Sequence, residues 1–105
     1  MAYEFEKIKR EAYDFAYEAR QKLSAKKVYL YGSYAKGTAK DESDVDICFF
    51  FDDIDLNMKA RTVSKLISLS TKYNAYFEPN AMPTSELYNG NPFVEEVLRT
   101  GIEIV

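Results

Sequence analysis

The 105-residue chain has no histidine, no tryptophan and a single cysteine, Cys48. Without histidine, Ser-His-Asp and Cys-His catalysis are excluded. A zinc site is disfavoured as well, because Cys48 alone offers one soft ligand. A lone cysteine builds no disulfide framework, and inside an apolar run it reads as a small buried hydrophobe. No apolar run approaches the roughly 20 residues that span a membrane, and the charged, amphipathic start of the chain is not a signal peptide. A cytoplasmic location and no membrane partner are therefore expected. No basic patch with interleaved aromatics is present, so there is no positive case for a long nucleic acid as partner. Acid–base work falls to carboxylates, tyrosine, lysine or metal-bound groups.

What is present is charge, unevenly spread, and aromatic bulk. The formal charge is −3; residues 1–40 carry nine Lys/Arg against five Asp/Glu, residues 41–105 five against twelve. Nine tyrosines and seven phenylalanines are a heavy load for so small a core. Tyrosine has a polar tip, so some of these are expected at the surface or in an interface. The length fits one domain, residues 1–105, with no repeats or linkers.

Hydrophobic spacing sets out the elements. Phe5, Ile8, Ala12, Phe15, Ala16, Ala19 and Leu23 recur at helical spacing within residues 3–24. A strand follows at 28–31, then a second at 44–51, apolar on both faces beyond its first residues, as for a central strand. Asp53 or Asp55 is a plausible cap for a helix reaching to about Lys72, with Leu56, Ala60, Val63, Leu66 and Ile67 as its stripe. Residues 74–82 read as a third strand, with Pro79 pointing to an edge position or the strand's end. A single helical turn is expected at 84–88. Asn91-Pro92 starts a last helix that Gly101 ends, and 102–105 form a short final strand. The fold class is α+β: a mixed sheet with helices packed on it, in the order α-β-β-α-β-α-β.

The chemistry concentrates between Tyr31 and Ile47. Gly32-Ser33 follows an apolar strand directly. Gly32 permits positive φ and close backbone approach, Ser33 offers a hydroxyl, and the following N–H groups can form an anion-binding nest. Gly37 comes next. After a polar loop, Asp44 and Asp46 open the second strand, and residues at i and i+2 share a face. Two carboxylates so placed repel unless a cation lies between them. Hard oxygen donors suit Mg²⁺ or Mn²⁺. A solvated loop end is the plain alternative for Asp-x-Asp. A P-loop is the other, since Gly32 and Gly37 bracket four residues, but Thr38 stands where the phosphate-gripping lysine belongs.

Gly32-Ser33, Gly37 and Ser43-Asp44-Val45-Asp46 resemble the G-S … D-x-D signature of the nucleotidyltransferase superfamily that includes DNA polymerase β. Ala35, Lys36 and Gly37, with the short chain, look most like its minimal nucleotidyltransferase branch, found beside HEPN-type ribonuclease toxins. The resemblance implies a nucleotidyltransferase core that moves a nucleoside monophosphate, AMP from ATP in first place, from an NTP to an acceptor hydroxyl. It implies Mg²⁺ or Mn²⁺ held by Asp44 and Asp46, and a nucleotide contacted by Gly32, Ser33, Lys36 and Ser43. Lys36 stands where the family usually has arginine, keeping charge but losing the bidentate fork. Ser43 reads equally as a turn former. A third carboxylate is expected on a neighbouring strand; Glu78 is the one acid there. A one-residue slip of register would turn it to the opposite face. The partner implied is a helical HEPN-type protein, or a second copy of the chain. An antitoxin-like module acting by contact, binding nucleotide with little turnover, is the alternative.

Overall fold

The computed structural model describes residues 5–40 and 44–105. Helix α1, Phe5–Leu23, buries Ile8, Ala12, Phe15, Ala16 and Ala19 on one stripe. Phe5, expected in that stripe, is exposed in the first turn, and Tyr13 and Tyr17 are exposed as well. Strand β1, Lys27–Tyr31, runs straight into a short helix α2, Gly32–Lys36. Strand β2 is Val45–Phe51, helix α3 Leu56–Ser70 and strand β3 Phe77–Pro83. A 3-10 turn, Thr84–Leu87, leads to helix α4, Pro92–Thr100, and strand β4, Ile102–Glu103.

The caps are those the sequence announces. Asp55 accepts from the Met58 N–H at 2.9 Å, and Asn91 from Phe93 and Val94 at 2.9 and 3.2 Å. Each satisfies donors that a helix start leaves open. Three expectations need correction. The segment after Gly32, for which no element was expected between the first two strands, is a turn of helix. Asp44 lies just outside β2 and is exposed. Ala60 and Ile67 are exposed instead of buried in the α3 stripe. The α3 stripe is narrow because only one side of that helix meets the sheet.

The sheet order is β3-β2-β1-β4, with β1 antiparallel to β2 and β4, and β2 parallel to β3. A parallel pair needs a crossover, and α3 is that crossover. Alternation then sorts the side chains. Val28, Leu30, Val45, Ile47, Phe49, Phe51 and Ala81 join the core formed with α1 and Leu66 of α3. Cys48, Phe50 and Met82 look to the other face, under Val94 and Val97 of α4. That second face is covered only in part, and its uncovered end carries the polar residues.

Two carboxylates of α1 fix the strand that matters most for the site. Glu11 accepts from the N–H groups of Asn74 and Ala75 at 3.1 and 2.9 Å, just before β3. Glu18 accepts from Lys22 at 2.8 Å, from Lys72, and from the Tyr73 hydroxyl at 3.1 Å. The Lys22 and Lys72 ammonium groups, with Tyr73, pull the Glu18 carboxyl down to about 2. The unfolded chain therefore binds this proton at higher pH than the folded one. The stabilisation is present above the ordinary glutamate value and is lost as pH falls toward 2. Glu18→Gln is expected to flatten the pH dependence of Tm between pH 5 and 2. At neutral pH its cost is at most about 1 kcal/mol, because both lysines are solvent-screened. Acid melts of the two proteins check this; parallel curves would contradict it.

No helix among the described residues is long and apolar enough to cross a membrane.

Candidate active site

The site begins at a glycine that could not be another residue. Gly32 has φ +73, and a Cβ built there would lie 2.2 Å from Oδ2 of Asp46. Left-handed backbone disfavours any side chain, and here the space is already taken by a carboxylate. So the Asp46 side chain rests against the main chain where β1 ends and α2 starts. Ser33 is next, half-buried. Tyr34 anchors α2 in the core. The Gly37 cap closes the turn, with φ +77, and the Thr38 N–H returns to the Ser33 carbonyl at 2.9 Å.

The second and third acids come from the sheet. Register pairs Tyr31 with Asp46 across the antiparallel ladder and Asp46 with Glu78 across the parallel one. Tyr31, Asp46 and Glu78 therefore form one row on one face, with Asp44 just upstream of it. The register of β3 is set by the Glu11 contacts and by the Val45 N–H bond to the Tyr76 carbonyl, 2.8 Å. Pro79 is buried on the opposite face. It lies inside β3, not at its end, and is tolerated because β3 is an edge strand.

Burial, then the charge of Glu78, then that of Asp44, push the Asp46 carboxyl above the usual range. Among the described residues, which include Asp44, Asp46 and Glu78, no group of three His, Cys, Asp or Glu is placed to hold a metal ion by itself. Mg²⁺ does not need one: it is commonly held by one or two carboxylates plus substrate phosphates. An all-oxygen donor set whose neighbouring acids disfavour each other's charge is chemically suited to that ion.

Of the remaining residues expected at the site, Lys36 is exposed and ion-paired with Glu96 of α4 at 3.4 Å. Ser43 lies outside the described residues. Two neighbours escaped the sequence reading, Tyr31 and Asn80. Burial raises the Tyr31 hydroxyl to about 12, and the charges of Cys48 and Asp46 add to it. Strand alternation carried back from Gly32 to Tyr31, and on from Glu78 to Asn80, would have found both. Cys48, beneath them, is fully buried and its thiol is raised to about 12, which makes it inert packing.

The profile of the family described as the nucleotidyltransferase domain matches residues 13–97. No curated protein matches the sequence as a relative. Among solved structures, a presumed nucleotidyltransferase from Sulfolobus solfataricus is similar at TM-score 0.65 and 21% identity, covering 90% of this chain and 77% of its own. A mutant form of the toxin–antitoxin MntA–HpeT is similar at TM-score 0.53 and 18% identity, covering 98% of this chain and 73% of its own. At such identities the likeness is one of fold.

Proposed function

The chain belongs to the nucleotidyltransferase domain family, and from that premise we propose that it transfers a nucleoside monophosphate, AMP from ATP in the first instance, to an acceptor hydroxyl. One observation supports this above the others: the Asp46 carboxylate is packed against Gly32, with Glu78 as its register partner. In the reaction the acceptor oxygen forms a bond to the α-phosphorus while the bond from that phosphorus to the bridging oxygen breaks, releasing pyrophosphate. Asp44, Asp46 and Glu78 are the residues that would hold Mg²⁺ or Mn²⁺. When bound, the ion supplies charge neutralisation for the triphosphate and acidifies the acceptor hydroxyl. Gly32 admits close backbone approach to phosphate, and Ser33 adds a hydroxyl donor. Glu78, exposed beside Asp46, takes the acceptor's proton. The work of the residues is positioning and charge stabilisation. Asp46→Asn is expected to abolish cation-dependent incorporation of label from α-labelled ATP; incorporation at the wild-type rate sinks the assignment.

Lys36 enters this reading through a competition. Glu96 accepts from Arg99 at 2.5 Å and also pairs with Lys36, so Lys36 must exchange a carboxylate for phosphate. An exposed pair of this kind is worth about 0.2–1 kcal/mol. Glu96→Gln is therefore expected to lower KM for the triphosphate about two- to fivefold, and Lys36→Ala to raise it. An unchanged KM in Lys36→Ala reduces Lys36 to a solvated loop cation.

A contact role has its own support in the exposed Tyr13, Tyr17, Tyr76 and Tyr88 and in the toxin–antitoxin assembly of one structural neighbour. In that reading the chain binds a helical HEPN-type protein, or a second copy of itself, through such rings. If a double Asp44→Asn, Asp46→Asn variant still neutralises the partner, contact rather than chemistry is responsible.

A further inference from the structure

The outer strand of the sheet has no main-chain N–H left to offer a neighbour. Among the described residues β3 lies outermost, beyond β2, while β4 at the other edge is only two residues long. The Val45 N–H bonds to the Tyr76 carbonyl at 2.8 Å, and Val45 pairs with Phe77. In a parallel ladder the residues flanking such a pair bond to the partner strand, so Glu78, Asn80 and Met82 turn their main-chain groups toward β2. Phe77, Pro79, Ala81 and Pro83 turn theirs outward. Two of the chain's three prolines thus stand at outward positions of this one strand, where a newcomer would look for a donor and proline has none. The Ala81 N–H is already taken by Asn80 Oδ1 at 2.8 Å, and that of Phe77 by the Ala75 carbonyl at 3.2 Å. A side chain then crosses the same edge. Lys59 belongs to α3, which packs Leu66 into the core on one face, yet its Nζ meets Sδ of Met82 on the other face at 3.4 Å. Its stem rounds the outer side of β3, in a groove it shares with Ala81, Met82 and Pro83.

We infer that the β3 edge is closed to strand addition, and that any protein this chain meets, a second copy included, is held through side chains and not by extending the sheet. A strand that joins an edge needs donors and acceptors from it in alternation. β3 offers carbonyls alone, so the newcomer's own carbonyls would be buried without a donor. Proline and lysine are residues that keep exposed edges from pairing. Tolerance of proline on an outer strand does not account for Asn80, whose amide oxygen covers the one outward N–H between the two prolines. The β4 edge is protected by its shortness and by the charged pair of Glu103 with Lys27, 2.8 Å apart. The inference holds whether or not the chain transfers nucleotide. It narrows the contact reading to side-chain surfaces such as the exposed tyrosines. It also keeps a foreign strand from settling beside Glu78, at the start of β3.

The test opens the edge. Pro79→Val restores an outward N–H in a residue of similar bulk, Asn80→Ala frees that of Ala81, and the two are combined. Self-association is followed by sedimentation velocity across a concentration series, and Tm is recorded for each protein. The double variant is expected to associate at a concentration about tenfold or more below that of wild type, as two regained hydrogen bonds imply. A new intermolecular β-sheet band in the infrared spectrum should accompany it. Lys59→Ala, which leaves the strand itself unchanged, is expected to shift association in the same direction by less. Hydrogen exchange reads the same edge in wild type without any substitution. Concentrating the protein until it self-associates should add no protection at the Phe77 and Ala81 amides. A folded double variant that associates as weakly as wild type overturns the inference. So does new protection at those two amides when wild type is concentrated, and this exchange result decides if the double variant fails to fold.

Discussion

Replacing Gly32 by alanine is expected to lower nucleotide transfer by about 100-fold or more, a loss out of proportion to the single methyl added. The methyl would sit 2.2 Å from Asp46 Oδ2 and 3.0 Å from its Cγ. The carboxylate is the movable partner, so it swings out of the row it shares with Tyr31 and Glu78. Displacing a reacting group by about 1 Å can cost on the order of 100-fold in rate. The positive φ adds a stability term of about 1–2 kcal/mol, since an L-residue is disfavoured there. Transfer from α-labelled ATP and a thermal melt check both. The decisive comparison is with Asp46→Ala. Adding Gly32→Ala to that variant should lower stability but have no further effect on rate. A Gly32→Ala protein with wild-type turnover would mean that the Asp46 position against the turn is not used.

The second large effect runs in opposite directions for activity and stability. Asp46→Asn is expected to remove transfer and yet, in chelator, to raise Tm by about 2–6 °C. The folded protein holds the Asp46 carboxyl above its usual range, through burial and then the charges of Glu78 and Asp44. The folded state thus keeps this proton at pH values where the unfolded chain has lost it. Stability from this group falls as pH rises through that window, and above it the penalty is fully present. Asparagine removes the charge and keeps the shape. Like charges facing one another across strands cost up to about 1 kcal/mol, which is a few degrees in a domain of this size. Adding millimolar Mn²⁺ should stabilise wild type and not the variant, closing the gap by mass action. A variant less stable than wild type in chelator at pH 7 would show that the acids are not in conflict.

Much of this was legible beforehand, for identifiable reasons. Asn91-Pro92 and Asp55 announce their helices by capping chemistry, which is local and needs no tertiary context. Asp46 was readable because Asp-x-Asp stands at the head of a run that is apolar on both faces, and Gly32 because its strand is apolar to the last residue. Glu78 was not decidable, since its face depends on a register fixed by Glu11, more than 60 residues away in sequence. Helix α2 was missed because five residues carry no periodicity.

The most direct test of the account is which phosphate moves. Purified protein is supplied with Mg²⁺, a candidate acceptor and ATP labelled at either the α or the γ position, and acceptor and small products are separated. The account predicts α-label on the acceptor, γ-label in pyrophosphate, and neither in Asp46→Asn. Label from the γ position on the acceptor, or α-label transferred equally well by Asp46→Asn, would contradict it.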